Sequence, residues 1–150
     1  MKTVNKQEKI AWHPAFVEAI HLELEDYLDS LEIHAEYNLT AEPLKIDCVV
    51  IKKNKDLLIK KDFAAIFREV NLLEYKSPDD YISVADFYKV YGYAYLYASL
   101  EKVSVKNLTI TFVQSRYPGK ILDYLKGIHG YSVEKRTCGI HTVTGDIIPI

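Results

Sequence analysis

An α/β fold with a mixed central sheet flanked by helices is what this sequence predicts, on three observations. The chain has 150 residues, 49% hydrophobic and 27% charged, which is the size and make-up of one globular domain. Two stretches, Trp12 to Leu31 and Ser83 to Leu100, repeat apolar residues at helical spacing. Between and after them, 32–40, 44–53, 68–76 and 107–115 alternate or run apolar over strand lengths.

Residues 1–11 are polar and lysine-rich with no apolar period, so they are expected to form a frayed arm. The first helix starts at His13-Pro14, since proline is tolerated in a first turn, and carries Phe16, Ile20, Leu24, Tyr27 and Leu31 on one stripe. Ala41-Glu42-Pro43 breaks the chain between the first two strands, and Lys53-Asn54-Lys55-Asp56 supplies the next turn. The strand 68–76 ends at Ser77-Pro78-Asp79-Asp80. Ser83-Val84-Ala85-Asp86 then has the spacing of a capping box at the start of the second helix. Residues 118–127 suit a short helix, and Gly130, Gly139 and Gly145 punctuate two or three short strands. There is no internal repeat and no linker. The apolar ending, Asp146-Ile147-Ile148-Pro149-Ile150, would be a liability if left as an unpaired edge, and it suggests the N-terminal part of a longer protein.

Composition excludes several classes. No stretch approaches the roughly 20 apolar residues of a membrane span, and no apolar segment follows the N-terminal residues as in a secretory signal, so a cytoplasmic protein is expected. Cys48 and Cys138 are too few for a disulfide framework, match no zinc spacing, and read as small buried hydrophobes. The five histidines show no ligand spacing. A net charge of −2 gives no general drive toward nucleic acid, so any such contact needs a local patch.

The chemistry-bearing feature is an acid inside each of two strands that otherwise want to be apolar. Asp47 interrupts Leu44-Lys45-Ile46-Asp47-Cys48-Val49-Val50-Ile51, where alternation groups it with Val49 and Ile51. In Val70-Asn71-Leu72-Leu73-Glu74-Tyr75-Lys76 the same period puts Val70, Leu72, Glu74 and Lys76 on one face. Asp47 and Glu74 can then converge on adjacent strands. Burying two carboxylates demands compensation. A Mg²⁺ or Mn²⁺ ion held by oxygen ligands offers it and activates water, with Lys76 beside it to hold that water or offset phosphate charge. A plain Glu74–Lys76 pair neutralising itself at a strand end fits the same pattern.

The order helix, strand, strand with Ile46-Asp47, strand with Glu74-Tyr75-Lys76, helix, strand resembles the core of the PD-(D/E)XK nuclease superfamily over roughly residues 12–115. Pro43-Leu44-Lys45-Ile46-Asp47 and Asn71-Leu72-Leu73-Glu74-Tyr75-Lys76-Ser77-Pro78 are also similar to its Rpn/transposase-associated branch. The resemblance implies a restriction-endonuclease-like αβββαβ core and metal-dependent hydrolysis of a phosphodiester in nucleic acid, with DNA the expected partner and RNA left open. Asp47 and Glu74 would be metal ligands together with the Tyr75 main-chain carbonyl, and Lys76 the catalytic lysine. The proline of the superfamily's name has no counterpart before Asp47, where Ile46 stands. Duplex cleavage by so small a domain needs two active sites, which implies a homodimer. A binding module that kept the fold without the catalysis is the alternative.

Many superfamily members carry a further glutamate on the first helix. Glu23, at the edge of the apolar stripe, and Glu36, on the first strand, are the two candidates here. RecB-like members have Gln-x-x-x-Tyr on the second helix. Lys89 and Tyr93 match its spacing, with lysine able to contact a phosphate. Tyr88, Tyr91 and Tyr95 at helical spacing read as packing residues, with Tyr93 and Tyr97 exposed or at an interface. Lys52 and Lys53, with Lys55, Lys60 and Lys61, could track a phosphate backbone or simply protect an edge strand.

Overall fold

A computed structural model describes residues 12–38, 45–46, 48–128, 130–146 and 148–150. Helix α1 (Trp12–Glu23) leads through a 3-10 turn, Glu25–Ser30, into strand β1 (Leu31–His34). Two short strands follow, β2 (Tyr37–Asn38) and β3 (Lys45–Ile46), and then β4 (Val49–Lys53) and β5 (Val70–Tyr75). Helix α2 (Val84–Glu101) crosses to β6 (Leu108–Val113), and α3 (Gly119–Lys126) precedes the hairpin of β7 (Ser132–Thr137) and β8 (Ile140–Thr144).

The central sheet has the order β1-β4-β5-β6. The first two pairings are antiparallel, with Ile33 opposite Ile51 and Val50 opposite Leu72. β5 and β6 are parallel, Leu72 lying beside Ile110. A parallel pair cannot be joined by a tight turn, which is why the 18-residue α2 stands between them. The two interior strands are buried on both faces, as their continuous apolar runs require. Val50, Val70, Leu72, Leu108 and Ile110 pack against α2 and α3. Val49, Ile51 and Leu73 pack on the opposite face against Phe16, Ile20 and Leu24. The result is a mixed α/β fold, a four-stranded mixed sheet with helices on both sides.

Asn71, wholly buried in β5, clips three strands together. Its Nδ2 donates to the Ile51 carbonyl at 3.2 Å and the Arg68 carbonyl at 2.8 Å. Its Oδ1 accepts from the Arg68 amide at 2.8 Å and from the Thr109 hydroxyl. The apolar C-terminal run is also paired. Ile110 N donates to Pro149 O, Val143 and Ile150 exchange two backbone bonds, and the Tyr91 hydroxyl donates to Ile148 O at 2.9 Å.

Several expectations need correction. The first α-helix ends at Glu23, not Leu31. Asp26, Asp29 and Ser30 are poor interior helix formers, and the tighter 3-10 turn still brings Tyr27 and Leu31 onto the α1-side core. On α2 Tyr91 packs as expected, but Tyr88, Tyr95 and Tyr97 do not follow the expectation. Tyr91 and Tyr97 are buried and Tyr88 and Tyr95 exposed, because the buried arc runs from Phe87 through Val90, Tyr91 and Ala94 to Tyr97 and Ala98. Cys138 is exposed at the β7–β8 turn, whereas Cys48 is buried as expected. β4 is an interior strand, so the Lys52–Lys53 end protects no sheet edge.

Candidate active site

The sequence pattern that places Glu74 also buries it. Its neighbours Leu72 and Leu73 fill the two sides of β5, and Glu74 follows Leu72 onto the α2 face near the strand's end. Its side chain is only 4% exposed. A carboxylate held there requires donors, and three arrive. The Cys48 thiol donates to Oε2 at 3.2 Å, Lys89 Nζ reaches Oε1 at 3.3 Å, and Lys76 Nζ stands 3.6 Å from the same oxygen.

Helix α2 delivers the second half of the cluster. Ser83 and Asp86 form a complete capping box: the Asp86 amide donates to Ser83 Oγ at 3.1 Å, and Ser83 N donates back to Asp86 Oδ2 at 2.9 Å. Fixing that carboxylate aims its other oxygen at Lys76, whose Nζ lies 2.9 Å from Oδ1, with Lys89 Nζ at 3.6 Å. Asp80 stands 3.9 Å from Lys76 at the exposed rim. Glu74, Lys76, Asp86 and Lys89 thus form a balanced quartet of two carboxylates and two ammoniums, with Glu74 deepest and Lys89 nearest to water.

The electrostatics fix the protonation of both lysines. Partial burial disfavours the Lys76 ammonium, but the Asp86 hydrogen bond and charge, then the charge of Glu74, outweigh it and raise the pKa above the ordinary lysine value. Lys89 is raised in the same way, against its own burial, by Glu74 and then Asp86. Burial pushes the Asp86 carboxyl up, yet the bonds from Lys76 and Ser83 hold it well below the usual carboxylate range. Near neutrality the two lysines are therefore charged donors, suited to holding a phosphate oxygen or a water and unsuited to taking a proton.

The structure brings together Glu74, Lys76 and Lys89 of the residues singled out from the sequence. Glu23 is not with them. It is exposed at the end of α1, 3.4 Å from Lys61. Glu36 is exposed on the β1–β2 connection. Lys53 donates to the carbonyls of Asn54, Lys55 and Leu57, so it holds the turn after β4, and Lys52 is opposite Glu32 on β1. The Tyr75 ring stacks on Phe16 at 4.5 Å, on the α1 side of the sheet. Asp47 lies outside the described residues. The grouping of Val49 and Ile51 with the Glu74 face is corrected: those two residues point to α1, and on β4's approach Cys48 and Val50 share the Glu74 side.

Asp86 was legible only as a helix cap, because nothing in local spacing reveals that the cap faces Lys76. Among the described residues no three His, Cys, Asp or Glu side chains gather into a metal-binding group. Glu74 is nonetheless a hard oxygen donor of the kind Mg²⁺ and Mn²⁺ prefer, and its Oε2 is engaged by a thiol, the weakest donor in the cluster. As one ligand it fits such an ion. A separate cleft of about 410 Å³ opens between β6, α3 and β8, walled by Phe112, Ile121, Leu122, Leu125, Ile140 and Val143, and is largely apolar. No protein-family model, curated protein or solved structure matches the chain.

Proposed function

We propose that this chain is a Mg²⁺- or Mn²⁺-dependent phosphodiester hydrolase of the PD-(D/E)XK type, acting on nucleic acid, with a restriction-endonuclease-like core. The observation that carries the reading is Glu74: a nearly fully buried carboxylate on an interior strand, two residues before a charged Lys76. It stands in a sheet whose strand sequence and mixed pairing suit that core. Glu74, Asp47 and the Tyr75 carbonyl would hold the ion. The bound cation supplies positive charge against the scissile phosphate and lowers the pKa of water there. Lys76 donates a hydrogen bond to the attacking water or to a phosphate oxygen, and Asp86 keeps its ammonium charged and aimed. Lys89, at the outer edge of the quartet, is free to swing from Glu74 to a phosphate.

A second reading has its own support. Lys76 makes its shortest contact with Asp86, and the four charges already neutralise one another, as in a structural ion-pair network of a non-catalytic binding module. Plasmid nicking separates the two. Cleavage with Mn²⁺ and none with EDTA, lost in Asp47→Ala, Glu74→Gln and Lys76→Ala variants that still melt cooperatively, supports the hydrolase. No cleavage of DNA or RNA, together with no heat of Mn²⁺ binding by calorimetry, refutes it. Retarded migration of nucleic acid without cleavage then identifies the binding module.

A further inference from the structure

The outer side of α2 carries a feature that the monomer does not use. Gly92 lies in the middle of this 18-residue helix, where glycine costs stability relative to alanine. A Cβ built at Gly92 meets nothing within 4 Å, so no close approach inside the chain requires the glycine, and its φ is not in the left-handed region. Around it, at about 100° per residue, the exposed arc of α2 holds Ala85, Tyr88, Tyr95, Leu96, Ser99 and Leu100. Tyr88 is 57% exposed, Tyr95 46%, Leu96 41% and Leu100 45%. The one charged residue on the arc, Lys89, is turned inward to Glu74 and Asp86.

From this we infer that the outer face of α2 is a self-association surface, on which a second copy of the chain packs antiparallel with Gly92 at the two-fold axis. The occupant follows from the pattern. Tyr88 and Leu96 stand one turn before and one turn after Gly92, so a two-fold there sets Tyr88 against Leu96 of the other copy and Ala85 against Ser99. The missing side chain at the crossing lets the helix axes approach closely. With Lys89 paired to Glu74 and Asp86, the arc carries little net outward charge, so like-charge repulsion between identical copies is small. Its four large side chains leave on the order of 350 Å² of apolar surface in water, given roughly 150–250 Å² for a whole aromatic. With the flanking residues, two copies bury on the order of 1,000 Å², the lower bound for a specific interface, which makes the contact a small one and micromolar affinity the range to test.

This inference is independent of the hydrolase reading and is tested without nucleic acid or metal. Sedimentation velocity of the chain, over roughly 1–300 μM to bracket micromolar affinity, is compared with Leu96→Glu and Gly92→Leu. The wild type is expected to shift from 17.3 kDa to about twice that mass. Both variants are expected to weaken association at least tenfold, since the first adds like charge and the second fills the crossing. A Cβ at Gly92 meets nothing within 4 Å in the monomer, the position is exposed and leucine improves helix propensity, so Gly92→Leu is expected to melt no lower than wild type at concentrations where both are monomeric, which excludes misfolding as the cause. A wild type that stays at 17.3 kDa throughout overturns the inference. So does a Gly92→Leu chain that dimerises as tightly as wild type.

Discussion

Replacing Asp86 by alanine removes two supports at once. Oδ2 closes the capping box through Ser83 N at 2.9 Å and Ser83 Oγ at 2.6 Å, and Oδ1 accepts from Lys76 Nζ at 2.9 Å. Losing a helix cap costs about 1 kcal/mol. Losing a hydrogen bond between charged groups costs about 1.5–3 kcal/mol, toward the lower end here because Lys76 retains Glu74 at 3.6 Å and Asp80 at 3.9 Å. The expected total is about 2.5–3 kcal/mol, against about 1 kcal/mol for Ser83→Ala, which breaks the cap alone. Urea unfolding followed by far-UV circular dichroism at pH 7 reads both, provided the slope with denaturant is unchanged. The sign of the pH dependence follows from the two shifts. Asp86 is depressed below its ordinary 3.8, so unfolding takes up a proton in acid, and its contribution is whole above that pH and fades below it. Lys76 is raised above 10.5, so its contribution is whole below that pH and fades as the solution becomes more alkaline. The gap between wild type and Asp86→Ala is therefore flat through neutrality and narrows at both ends. An Asp86→Ala loss no greater than that of Ser83→Ala, or a gap that widens in acid, refutes the argument.

Two further predictions follow from buried polar groups. Asn71→Leu leaves the Arg68 amide and the Ile51 and Arg68 carbonyls without their partner inside the sheet, so a loss of at least about 3 kcal/mol is expected in the same urea assay; a loss under 1 kcal/mol on this scale would show that those groups find water instead. Tyr91→Phe removes the hydroxyl's bond to Ile148 O and its contact with the Tyr131 hydroxyl but keeps the ring, so a loss of about 1–2 kcal/mol is expected. In the wild type, burial and then the neighbouring Tyr131 raise the Tyr91 hydroxyl, so Tyr91 should be among the tyrosines that resist alkaline ionisation in an ultraviolet titration, and the variant's curve should lack one such late-titrating group.

Local pattern revealed most of the element order. The strands and the second helix announce themselves through period and through the Ser83 cap. Phase was harder. A helix with Tyr88, Tyr91, Tyr95 and Tyr97 as well as Phe87 and Val90 offers two apolar stripes, and only the sheet decides which one is covered. Pairing was hidden as well. Whether β4 is an edge depends on β1 and β5, which no local window contains. The site divides along the same line. Glu74 and Lys76 are neighbours in sequence and could be read as a pair, while Asp86 and Lys89 join them only because α2 returns over the end of β5.

The Asn71 clip also bears on how the chain avoids errors of assembly. If β5 docked one position out of step, the amide would lose the Ile51 carbonyl of β4 and the Thr109 hydroxyl of β6, while its two bonds to Arg68, just ahead of its own strand, would travel with it. Such a misaligned form carries that cost before any other contact is counted. Glu74, three positions along, then meets its lysines in a single alignment. An ordinary asparagine, with no part in the chemistry, acts as the proofreader of the strand that carries it.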